Sequence, residues 1–131
     1  MNRSRSREIA MEVIYQMDIH NTFDKEFADK MTKQYEEEID QKYIEEVIGL
    51  FIDQKAFVDN EISPLLKKWT MERISRIDLA ILRLAVTELK LMPDIPDKVT
   101  VNEAINMSKK YVDEKSGKFI NGLLKHFINP E

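Results

Sequence analysis

The segment IDLAILRLAVTELKLM, residues 77–92, has apolar residues at 11 of its 16 positions, and they go round a helix instead of lining one stripe. Such a helix is stable only when other elements cover it on most sides, so it demands a bundle and belongs at the bundle's centre. Ser75 and Asp78 are spaced like a capping pair at its start, and Pro93 stops it.

The rest of the chain reads as the cover. Helical spacing predicts a first helix from Ser4 or Ser6 to Asp18, with Ile9, Ala10, Val13, Ile14 and Met17 inward. A second begins near Asp24 and turns Phe27, Ala28, Met31 and Tyr35 inward. A third starts at Asp40 as N-cap and runs to about Asn60 through Tyr43, Val47, Leu50, Phe51 and Val58. Ser63-Pro64 reads as an N-cap with proline at N1, opening a short helix through Leu65, Leu66 and Trp69. Thr100 with Glu103 forms a capping-box pattern for a helix to Val112, with Val101, Ala104, Ile105, Ser108 and Tyr111 on one face. Nothing alternates with a period of two, and no repeat or low-complexity linker divides the chain. The expectation is one all-α domain over residues 1–131.

Several kinds of chemistry are missing. The chain has no cysteine and only His20 and His126, far apart, so neither a disulfide framework nor a metal centre is expected. No apolar h-region follows the polar, basic start and no run is long enough for a membrane span, which together suit a cytoplasmic protein. Gly117-Lys118 resembles the end of a phosphate-binding loop, but Val112 stands where that motif needs glycine and Phe119 replaces the Ser/Thr. No serine, histidine and acid fall into a nucleophilic arrangement. A non-enzymatic protein without cofactors is expected.

Charge is distributed unevenly. Net charge is −4, yet residues 98–126 hold six lysines against three acids, while residues 23–46 hold nine acids against four lysines. The amino terminus carries Arg3, Arg5 and Arg7 among small hydroxyl residues, a pattern able to meet phosphates flexibly and to order on binding. The last helix, EKSGKFINGLLKHF over 114–127, points its apolar stripe (Phe119, Ile120, Leu123, Leu124, Phe127) to the core. Its other face reads Lys118, Asn121, Gly122, Lys125, with Ser116 placed to cap it. Phe119 adjoins that basic strip, where a base could stack on it, and Gly122 would admit a close approach. The competing reading makes Phe119 ordinary core, Gly122 a helix-packing contact and the lysines solvated surface.

The blocks SREIAMEVIYQMD, WTMERISRIDLAILRLAVTEL, IPDKVTVNEAI and SGKFINGLL follow one another in this order over residues 6–124. In that order they resemble the NusB family of bacterial transcription antitermination factors. Thr87, where a tyrosine is usual, and Met107-Ser108, in place of Leu-Ala, depart from the pattern, and the basic amino-terminal stretch is thinner than in some members. The resemblance implies two packed three-helix bundles. It also implies binding of boxA, a short single-stranded RNA, together with the ribosomal protein acting as NusE, on the RNA polymerase elongation complex during rRNA transcription. By block matching, Arg5, Arg7, Lys118 and Phe119 fall in the RNA-contacting parts. Arg3, Asn121, Gly122 and Lys125 join them on charge and position, and Tyr15, Glu72, Arg73 and Asp78 fall on the NusE-facing surface. Asp78, a charge on a mostly apolar helix, suits a basic partner as well as it suits a cap. Two other readings stand beside this one: a protein-binding helical scaffold or homodimer whose basic strip is only surface, and an accessory domain for an RNA-modifying enzyme.

Overall fold

The computed structural model describes residues 2–66 and 70–128. It folds them into helices α1 (Arg3–His20), α2 (Lys25–Thr32), α3 (Gln41–Asp53), α4 (Lys55–Ile62), α5 (Arg76–Leu91), α6 (Asp97–Tyr111) and α7 (Glu114–Ile128). No strand occurs among the described residues. α5 is the axis, buried without interruption from Asp78 to Glu88 as its composition demands. α1, α2 and α3 pack on one another, and α5, α6 and α7 do the same; α1 lies along α5 and joins the two bundles, and α4 covers α5 from a further side.

Short polar side chains start the helices where their sequence position predicts. The Asp24 side chain accepts from the Phe27 N–H, Asp40 from Tyr43 and Ser75 from Asp78. α1 begins earlier than expected because Asn2 accepts from the Arg5 N–H at 2.9 Å. It also runs past Asp18 to His20 and ends on Asn21, whose φ of 52° is left-handed, a conformation asparagine tolerates.

Other expectations are corrected. The third helix is two: at Gln54 (φ −118°, ψ 28°) the backbone leaves the helical region, with neither glycine nor proline to announce it. Phe51 on α3 and Val58 on α4 both reach the core on either side of this turn. Ser63-Pro64-Leu65 is a 3₁₀ turn continuing α4, and Ser63 caps nothing with its side chain. Trp69 lies outside the described residues. α6 starts at Asp97 and Thr100 sits inside it, because its hydroxyl donates to the buried Glu88 carboxylate at 2.6 Å.

Glu88 is the most consequential charge in the fold. It is 1% exposed and accepts from Arg7 Nε at 2.8 Å, from the Tyr43 hydroxyl and from Thr100. Those donors come from α1, α3 and α6, so one carboxylate on α5 ties four helices together. Arg83 plays the mirror role: its guanidinium donates to both Asp59 oxygens, at 2.9 and 3.0 Å, fastening α4 to α5. A carboxylate in such a place is tolerable only with its donors present. Replacing Arg7 by Ala therefore strands Glu88, and the expected cost is about 3 to 5 kcal/mol of stability, read as a lowered urea midpoint. A loss under about 1 kcal/mol would mean that Tyr43 and Thr100 suffice.

Candidate nucleic-acid interface

α7 is capped by Asp113, not by Ser116: the Asp113 carboxylate accepts the Ser116 N–H at 2.8 Å. Ser116 lies inside the first turn and is buried, and its hydroxyl donates to Asp78 at 2.5 Å. Its backbone is therefore not open to a phosphate. The apolar stripe buries Ile120, Leu123 and Leu124, and this pins the opposite face to solvent. Lys118, Gly122 and Lys125 are exposed and Asn121 is half-buried, at the i, i+3, i+4, i+7 positions of one strip.

The two glycines at this end differ. At Gly122 an added methyl would meet nothing within 4 Å, so it packs against no helix and leaves a flat place on the strip. At Gly117 a methyl would come within 2.9 Å of Lys109 Cγ, so that glycine is where α6 and α7 approach closely. The sequence pattern gave no sign of which glycine held the packing contact.

Phe119 is partly buried and borders a cleft of about 370 Å³. Arg73, Ser75 and Asp78 line one wall, and Val112, Asp113, Lys115, Ser116 and Phe119 the other. The cleft joins the two groups of residues that sequence reasoning kept separate, since Phe119 belongs to the RNA set and Arg73 and Asp78 to the partner set. Glu72 and Arg73 are exposed on the turn before α5. Asp78 is only 8% exposed, and burial pushes its carboxyl above the usual range, against the Ser116 hydrogen bond and with the Asp113 charge adding to it. Its role is thus chiefly to hold α5 to α7, with only an edge available to a partner. Tyr15 is half-buried on α1, one turn before Asp18, which binds Arg76 at 3.0 Å and so draws that part of α1 to the start of α5.

The amino-terminal arginines are not a free arm. They form the first turns of α1, and their fates diverge. Arg7 is 3% exposed and committed to Glu88, so it is no phosphate ligand in this fold. Arg3 donates through Nε and Nη2 to Asp40, at 3.0 and 2.9 Å. Arg5 donates side-on to both Glu37 oxygens, at 2.8 and 2.7 Å, and through Nη1 to Glu8 at 3.0 Å. The Arg5 hydrogen bond holds the Glu37 carboxyl below its ordinary range. Among the described residues, Arg73, Lys115, Lys118 and Lys125 have no carboxylate within ion-pairing distance, whereas Arg3, Arg5 and Arg7 all do. No group of acids and histidines among the described residues is placed to hold a metal ion, and no described helix is long and apolar enough to cross a membrane.

Gly122→Ala should raise stability by about 0.5 to 1 kcal/mol, since it removes glycine's helix penalty and meets no neighbour. A lowered thermal midpoint would contradict the open position. Asp78→Asn should make stability less dependent on pH. A carboxyl raised in the folded state binds more protons there than when unfolded, so its contribution falls as pH rises from the ordinary carboxylate range through its elevated value. Urea midpoints across that window should converge at the acid end and separate, with the variant higher, toward neutrality.

The family model described as NusB matches residues 4–129. Transcription antitermination protein NusB of Bacillus mycoides is 44% identical over 126 residues, covering 96% of each chain, and that of Bacillus cereus is 43% identical over the same share. The solved structure of T. maritima NusB superposes with a TM-score of 0.85 at 32% identity, covering all of this chain and 93% of that one. A chain in the structure titled "Crystal Structure of a Plectonemic RNA Supercoil" superposes with a TM-score of 0.82 at 26% identity, covering 99% and 100%.

Proposed function

Because the chain belongs to the NusB family, we propose that it acts in transcription antitermination as an RNA-binding adaptor that holds boxA-type single-stranded RNA together with the NusE ribosomal protein on elongating RNA polymerase. One observation carries the RNA part. On the outer face of α7 and the adjoining cleft, Lys115, Lys118 and Lys125 lack carboxylate partners among the described residues, beside a partly buried aromatic ring. Unpaired cations next to a ring are what a single strand needs, charge for phosphates and a face for a base. A solved structure containing RNA among those of similar fold supports the same reading.

The arrangement redistributes the roles. Lys118, Asn121, Gly122 and Lys125 form the phosphate track, with the glycine letting the backbone of the strand approach. Phe119 stands at the rim where the track meets the cleft. Glu72 and Arg73, exposed on the turn before α5, are the better handles for a protein partner, because Asp78 is mostly covered.

The test is a titration with boxA-type RNA, with and without the NusE partner, at several salt concentrations. Binding should be weak alone, strengthened by the partner and salt-dependent with the slope of a few phosphates. Lys118→Ala should keep stability within about 0.5 kcal/mol, weaken RNA binding and reduce the salt slope by about one. Arg73→Glu should weaken the partner's contribution while leaving binding of RNA alone less affected. RNA binding unchanged in Lys118→Ala would remove the RNA from this face.

A further inference from the structure

The acidic segment between α2 and α3 makes its firmest side-chain contacts on the start of α1, a second basic element whose charge could serve RNA. Residues 33–40 are non-helical. Glu37 grips Arg5 side-on through both carboxylate oxygens, at 2.8 and 2.7 Å, and Asp40 receives two N–H groups of Arg3. A phosphate meets an arginine in the same side-on geometry, with two oxygens on a two-nitrogen edge. The edge of Arg5 that a phosphate would use is therefore already filled by a carboxylate of the same chain.

Exposure separates these contacts from the structural pair nearby. Arg7 and Glu88 are 3% and 1% exposed and cannot exchange partners without unfolding the junction. The Arg5 and Glu37 side chains are 28% and 45% exposed, so solvent, salt or another anion can reach between them. Aromatic rings hold the guanidinium groups from beneath: Arg3 lies 4.6 Å from the Tyr43 ring centre and Arg5 5.8 Å from that of Tyr35. Tyr35 is anchored by its hydroxyl to Glu12, and the Asp40 N–H donates to Ser6 at 2.8 Å, so the segment keeps its footing if Glu37 swings away. Among the described residues the Glu37 side chain makes no other hydrogen bond.

We propose that the 36–40 segment is a built-in competitor for RNA, in which Glu37, seconded by Asp40, occupies the phosphate-binding edge of Arg5 and of Arg3 and yields it when a single strand arrives. This rests on the RNA-binding reading above and adds a regulation to it. Arg3 and Arg5 stay neutralised until a ligand with more than one phosphate displaces the carboxylates together. Isolated anions would not be held, and a strand would be.

The experiment compares Glu37→Gln with Glu36→Gln and Glu38→Gln in the full chain, using the boxA-type RNA across a salt series. Each variant removes one negative charge from the same exposed segment, but only Glu37 pairs with Arg5. Glu37→Gln should tighten binding about two- to fivefold, the equilibrium equivalent of one exposed ion pair, and should exceed both neighbours. In an Arg5→Ala background that gain should vanish. Thermal midpoints of all variants verify that the fold is retained. Equal gains from the three glutamates would show a general charge effect and overturn the competitor, as would a gain that survives Arg5→Ala. A flat response in all three, with Lys118→Ala still weakening binding, overturns the competitor and leaves the RNA reading standing. No RNA binding by the parent chain overturns both.

Discussion

A helix buried on every side has to find partners for whatever polar groups it carries, and α5 carries Arg83 and Glu88 into the interior. That requirement organises the surrounding helices. Glu88 draws donors from α1, α3 and α6, and Arg83 takes Asp59 from α4, so each neighbour is registered against α5 by a polar contact as well as by apolar packing. Apolar contact alone is undirected and would let helices slide or rotate. A carboxylate with three donors accepts one arrangement, because any shift leaves a buried charge short of a hydrogen bond. Two α-helical bundles thus become one body at a junction that is ionic at its centre.

Arg3, Arg5 and Arg7 show how one residue type divides among roles by helical geometry. Residues two apart on a helix point about 200° apart, and residues four apart nearly align. Arg3 and Arg7 consequently lie over the same Tyr43 ring, while Arg5 turns to Tyr35 and Glu37. Depth does the rest: Arg7, a turn further into α1, is covered by the junction, and Arg3 stays at the surface. As a flexible arm the stretch would offer every arginine to a phosphate. As a helix it assigns one to structure and leaves two in reversible surface pairs.

Much of the fold was legible because it depends on local pattern. The position of α5 follows from an apolar girdle, and Asp24, Asp40 and Ser75 mark helix starts because a short acceptor before a periodic run has one good use. What escaped depends on partners distant in sequence. Thr100 and Glu103 have the spacing of a capping box, but Glu88, coming from α5, claims the Thr100 hydroxyl and the helix starts earlier. Arg7 and Glu88 are 81 positions apart, and nothing local hints that they meet. The break at Gln54 has no glycine or proline beside it, so nothing local announces it. At the candidate site the exposed strip of α7 was readable from its period. The cleft was not, because its walls come from the turn before α5 and from the α6–α7 junction.

Net charge is a poor guide to what such a surface can bind. The chain totals −4, which would argue against an anionic ligand if the charges acted as one. At physiological salt each exposed charge reaches only about 8 Å, so a strand responds to the cations beside its path and to the carboxylates that compete for them. The described acids are not spread evenly over the described cations. Arg3, Arg5 and Arg7 are each held by a carboxylate, whereas Lys118 and Lys125 on the outer strip of α7 have none within ion-pairing distance among the described residues. On the proposed function, α7 is therefore the surface ready for phosphates without rearrangement, and the start of α1 is one that must first be vacated. An acidic protein can then hold RNA by a small number of unpaired cations, and its affinity is limited by that number. On the same proposal, a surface that binds a strand weakly alone would also gain most from a second protein docked on the cleft beside it, since a partner seated at Glu72 and Arg73 would extend the same track.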